Sequence, residues 1–135
     1  MALTAEDLIA RAESKKAVAL AMQNDRLHCR EAWLSSGAAI EFALKAVILR
    51  RRRLNAWPSR ESNPELYTHD LRKLMIYANI DRSDVPKELR GRVKAVLDWD
   101  RQHDYMNERM PRRVARDMVN AVFGEGGVYE WLSSL

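Results

Sequence analysis

Cysteine is almost absent from this chain: Cys29 is the only one among 135 residues. A disulfide framework within the chain is thereby impossible, and a thiolate metal cluster is excluded. Both facts suit a reducing cytoplasm, which is the expected location. Strand signals are as scarce, since β-branched and aromatic residues nowhere alternate with polar ones for long. No stretch reaches 18 uninterrupted apolar residues, so no membrane span is expected. The start, Met-Ala-Leu-Thr-Ala-Glu-Asp, lacks the basic and apolar regions of a signal peptide. Catalytic signatures are missing too: no Gly-x-Ser-x-Gly, no His-Glu-x-x-His and no Cys-His arrangement occurs. Gly124, Gly126 and Gly127 follow a helical pattern, precede no strand and lack a following Lys-Ser/Thr, so they are not a phosphate loop.

What is present is helix. Apolar residues make up 47% and charged residues 31%, the balance of one folded domain rather than of a disordered chain. The net charge of +4 tolerates a nucleic-acid partner but argues for one only weakly, because 19 acidic residues accompany the 23 basic ones. The residues from Trp33 to Arg53 organise the rest. Trp33, Gly37, Ile40, Leu44 and Val47 form one apolar stripe at helical spacing, and Leu34, Ala38, Phe42 and Leu49 cover much of the other side. A helix apolar nearly all round is buried by neighbours on several sides. Glu41 and Lys45 share a narrow polar strip at i and i+4, the spacing that lets a carboxylate pair with an ammonium. Small residues from Ser35 to Ala39 let another helix come close.

In chain order, Thr4 caps a first helix ending near 22, with Glu6 and Asp7 in its first turn. A short break with Asp25 as the next cap leads to the central helix, over roughly 27–54. Two prolines mark residues 55–67 as a loop. Thr68 is the expected cap of a short helix over 69–78, closed by Asn79. Another helix starts at Ser83 or Asp84, with Pro86 in its first turn, and reaches about Trp99. Pro111 opens a last long helix, which Gly124 and the glycines after it end. A final turn over 128–132 lays Tyr129 and Trp131 back on the core. The expected fold is all-α: an antiparallel up-and-down helical bundle of four main helices plus a short extra helix, in one domain over 1–135.

Three segments carry a resemblance. Ala-Ala-Ile-Glu-Phe-Ala-Leu-Lys-Ala-Val-Ile-Leu at 38–49 looks like the second-helix signature of HEPN domains. Thr-His-Asp-Leu-Arg-Lys-Leu at 68–74 resembles that family's Thr-His-Asp-Leu-x-x-Leu segment. Asp-Arg-Gln-His-Asp-Tyr at 100–105 precedes the last long helix, where members often carry an arginine followed by a histidine or tyrosine. The likeness covers roughly 5–123. It implies a helical bundle, often a homodimer, tied to RNA and to toxin–antitoxin or defence systems. Active members are metal-independent ribonucleases with an Arg-x(4–6)-His motif. Here none of His28, His69 and His103 has an arginine five to seven residues before it.

Cleaving RNA without a metal needs a proton acceptor, a proton donor and a cation for the phosphorane charge. Arg101 is the candidate cation and His103 the candidate proton carrier, with a reference pKa near neutrality. Tyr105 would orient phosphate. Glu41, Lys45, Asp104 and Arg109 are the candidate binding residues. No metal ligand and no cofactor is expected. His69 and Asp70 at a helix start read as structural. Two arginine clusters, Arg50–Arg53 and Arg109, Arg112, Arg113 and Arg116, each read as a solvated basic face unless both flank one groove. Trp57 beside the first is placed to stack a base. The expectations are therefore a HEPN-like homodimer engaging RNA or an antitoxin; a non-catalytic HEPN module binding a nucleotidyltransferase or its nucleotide; or a bundle with an oligomeric role alone.

Overall fold

The computed structural model describes residues 2–100 and 108–135. Among these the chain is all helical, without a strand: α1 (Ala5–Met22), α2 (Cys29–Arg52), α3 (Leu71–Tyr77), α4 (Arg90–Leu97), α5 (Arg112–Phe123) and α6 (Val128–Ser133), with 3-10 turns at Pro64–Leu66, Arg82–Asp84 and Lys87–Leu89. α1 begins as its sequence directs. The Asp7 amide donates to Thr4 Oγ1, and the Thr4 amide donates back to Asp7 Oδ2, so two orphan donors of the first turn are satisfied together.

α2 is the hub of a helical bundle. Trp33, Ile40, Leu44, Val47, Ile48 and Leu49 are all buried along it. Each large aliphatic side chain removed from water there contributes about 1.5–3 kcal/mol. Ala12 and Ala19 of α1 join Ala32, Ala39 and Ala43 of α2 in the same core. α3, α5 and α6 also pack on α2. α2 has the length and composition of a membrane-crossing helix, yet 72% of its most apolar window is buried inside the protein. The neighbouring helices cover that surface instead.

Several boundaries differ from the expected ones, each for a local reason. α3 is capped by Asp70, whose side chain accepts from the Arg72 and Lys73 amides. Thr68 sits two residues earlier and accepts from the Asp70 amide. A carboxylate is the stronger acceptor at the positive end of a helix. The helix expected from Ser83 or Asp84 is broken into two 3-10 turns, and α4 starts only at Arg90. Val85 and Pro86 adopt extended backbone between the turns, Val85 being the residue that proline biases away from helix. α2 begins at Cys29, because Asp25 Oδ1 accepts from the Leu27 and His28 amides and holds a separate turn ahead of it. The small-residue stretch of α2 admits a side chain rather than a helix at its narrowest point: the Trp99 indole lies directly over Gly37.

Candidate functional site

Arg101, His103, Asp104 and Tyr105 lie outside the described residues. The described residues on either side of them are both fastened to the first half of α2. Trp99 is buried, its ring centroid 6.0 Å from that of Trp33. Beyond the segment, Arg30 Nη2 donates to the Glu108 carbonyl, and Cys29 Sγ donates to the Met110 carbonyl at 3.2 Å.

The built polar centre sits further along α2, at Glu41. Its carboxylate is 3% exposed in the middle of an apolar helix. Each oxygen has its own partner. Lys45 Nζ donates to Oε2 at 3.2 Å, one helical turn on. His69 Nδ1 stands 2.9 Å from Oε1, brought there from the stretch just before α3. A carboxylate oxygen accepts, so Nδ1 is the donor in this contact. The Lys45 side chain is 14% exposed and that of His69 57% exposed. Lys45 Nζ also lies 5.3 Å from the Trp57 ring centroid, over the negative face of the indole. Trp57 is therefore engaged by the ammonium. Its backbone amide donates to the Leu3 carbonyl at 2.7 Å, which ties the loop after α2 to the start of α1.

Glu41 borders a hollow of about 210 Å³ together with Lys15, Glu31, Ser35, Phe42 and Trp99. Arg11 and Ser14 of α1 extend the same surface, sharing Lys15 and Phe42 with it. Cations and carboxylates thus face one another between α1 and α2, on a surface that includes Glu41 but neither Lys45 nor His69. Such a set can bind a polar ligand. Among the described residues, no group of three or more His, Cys, Asp and Glu side chains is arranged to hold a metal ion.

The two arginine clusters do not flank one groove. Arg51 Nη1 donates to the Ala78 and Asn79 carbonyls at 3.1 and 2.9 Å, and Arg52 Nη2 donates to the Tyr77 carbonyl at 3.3 Å. These arginines neutralise the negative end of α3. At the other end of α2, Arg112 Nη1 reaches the Asn24 carbonyl at 3.5 Å. The 24 residues of α2 separate the clusters by about 36 Å at 1.5 Å per residue. Arg109 is exposed and follows Glu108, whose carbonyl is held by Arg30. From Arg30 to Glu41 is about 16 Å of helix. Glu41 and Lys45 are therefore brought together, and Arg109 stands apart from them.

His69 is the functional candidate that reasoning from sequence set aside. Its signal was available: it lies in the Thr-His-Asp-Leu segment, and a half-exposed histidine on a buried carboxylate is a common proton-transfer unit. The described residues define an all-helical bundle with a carboxylate–lysine–histidine centre. No protein-family model matches the chain, and no curated protein or solved structure matches it.

Proposed function

We propose that this protein is a HEPN-like bundle that engages RNA, with the Glu41, Lys45 and His69 centre as part of its working surface. The observation that carries this reading is the contact between His69 Nδ1 and Glu41 Oε1. It joins the two segments, 38–49 and 68–74, on which the resemblance rests, across 28 positions of sequence. The heavy packing of α1 on α2, and of α5 on both α2 and α4, supports the finer arrangement: four main helices running up and down in antiparallel order. In the catalytic form of the proposal, Arg101, His103 and Tyr105 act on the phosphate, and His69 holds the Glu41 carboxylate in place as a positioning residue. Exposed Arg109, Arg113 and Arg116 would hold the RNA backbone. A cytoplasmic homodimer in a toxin–antitoxin or defence setting completes it.

The test is direct. Purified protein is incubated with total RNA in the presence of a chelator. Cleavage that is lost in Arg101→Ala and reduced in His69→Ala, with circular dichroism unchanged, is the expected result. RNA that is neither cleaved nor retarded at low salt overturns the reading.

A second reading is favoured by the missing Arg-x(4–6)-His spacing. The chain would then be a non-catalytic module that binds a nucleotidyltransferase or its nucleotide. RNA left intact, with the nucleotidyltransferase encoded beside it co-purifying, is the result expected under that reading.

A further inference from the structure

On the α3–α4 side of the molecule lies a second concavity, of about 470 Å³ and open to solvent. It shares no residue with the hollow at Glu41. Its apolar floor is made by Met75, Ile80, Val85, Val93 and Leu97. Ile76 stands on its edge, 70% exposed, the most exposed of the large apolar residues described. Among the described residues that border it, the charged ones are Arg72, Arg82, Arg90 and Lys94, and none is an aspartate or glutamate. Arg72 is paired with Asp98. Among the described residues, no carboxylate forms an ion pair with Arg82, Arg90 or Lys94.

We infer that this groove docks an amphipathic, acidic helix of a partner protein. Three features of the groove select that occupant. The uncompensated cations call for carboxylates around an apolar core, because complementary potential sets specificity at a rim. A second copy related by two-fold symmetry would bring Arg82, Arg90 and Lys94 against their own copies, which costs free energy instead. RNA would satisfy the charge, but among the described residues the groove is lined by no aromatic side chain on which a base can stack. The described residues contain no strand to which an extended peptide could add, and a helix satisfies its own backbone when laid into an apolar groove. Apolar side chains at i, i+3/i+4 and i+7 would fill the floor and cover Ile76. Flanking glutamates or aspartates would meet Arg82, Arg90 and Lys94.

This inference does not rest on the RNA reading, and its variants spare the Glu41 centre. The probe is a displayed library of 20-residue helical peptides. Its members have one randomised aliphatic face and flanks of either Asp/Glu or Lys/Arg. Selection on the wild-type protein is expected to enrich acidic flanks. The enriched peptides should lose about tenfold or more in affinity for Ile76→Asp and for Arg90→Glu. Both substitutions are at exposed positions, and thermal unfolding checks that each variant is folded. RNA retardation by the same variants should be unchanged. The inference is overturned by failure to enrich beyond an unrelated helical bundle, by basic flanks among the winners, or by indifference of the winners to both substitutions. It is equally overturned if the two variants abolish self-association or binding to phosphatidylglycerol vesicles while no acidic peptide is selected. Those outcomes assign the groove to a second copy or to a membrane surface.

Discussion

Trp99 occupies the volume that a side chain at Gly37 would need: a Cβ there would stand 2.1 Å from Cε2 of the indole. The indole is a rigid plane, so it cannot yield as a flexible chain end would. Relieving α2 of a glycine would by itself add about 0.5–1 kcal/mol of stability. Overpacking opposes this with about 1–3 kcal/mol. Gly37→Ala is therefore expected to destabilise the protein by about 1–2 kcal/mol in urea denaturation. In a Trp99→Leu background the same change should become neutral or stabilising. A Gly37→Ala variant as stable as the wild type would show that Trp99 does not sit on α2.

Glu41 and its partners predict an order of costs. Glu41→Ala leaves the mostly buried Lys45 ammonium without its carboxylate, a loss near the lower end of the roughly 3–5 kcal/mol for breaking a buried pair, since the lysine stem can reach water. His69→Ala removes a half-exposed partner and should cost about 1 kcal/mol or less. Replacing Glu41 and Lys45 together by leucine should be nearly neutral, because no lone charge remains. Chemical denaturation of the three variants checks the order. The double variant also separates function from folding, since RNA binding lost from a stable protein points to the site itself.

Alkaline and acidic limits follow from one tyrosine and two aspartates. Burial pushes the Tyr129 hydroxyl up to about 12, and the neighbouring Glu13 carboxylate, which accepts its hydrogen bond at 3.2 Å, pushes the same way. The folded protein thus holds this proton where the unfolded chain, near 10, has released it. The stability it contributes is complete below pH 10 and is lost as pH rises towards 12. Ultraviolet titration should show a tyrosine ionising near pH 12, and Tyr129→Phe should remove part of the alkaline fall in Tm. On the acid side, hydrogen bonds from the Thr4 amide and hydroxyl hold Asp7 below its ordinary 3.8, and the Leu27 and His28 amides do the same for Asp25. Their contribution is present above 3.8 and declines as pH falls further.

The arginines at the end of α2 and at the start of α5 should divide by what they touch. Arg51→Ala removes two hydrogen bonds to the end of α3 and is expected to cost about 1 kcal/mol. Arg53 ends α2 with φ 57°, in the left-handed region. Arg53→Gly should therefore leave stability unchanged or raise it by up to about 1 kcal/mol. Under the RNA reading, Arg113→Ala and Arg116→Ala should weaken binding and flatten its salt dependence, while stability moves by no more than about 0.5 kcal/mol. A steeper salt dependence in either variant would contradict phosphate contact.

Local patterns were legible where one interaction dominates. The cap at Thr4, the apolar stripe of α2, the close of α3 at Asn79 and the stop at Gly124 all depend on residues within a few positions of one another. The break at Val85 and Pro86 was misread because a proline suits the first turn of a helix as well as the boundary before one. The role of Arg51 and Arg52 was invisible for a different reason. Four successive arginines look alike until the end of α3, over 20 residues away, supplies carbonyls to two of them.

By itself, the amino-acid order determined that this chain is helical, that its second helix is the buried one, and that Glu41 faces Lys45. Spacing along a single helix is enough for each of these. Only the tertiary structure decided that His69 completes the pair, that Trp99 fills the gap at Gly37, and that the two arginine clusters lie at opposite ends of a long helix. Those relationships depend on how loops return the chain to α2, and the packing that selects one return path is a property of all the helices together.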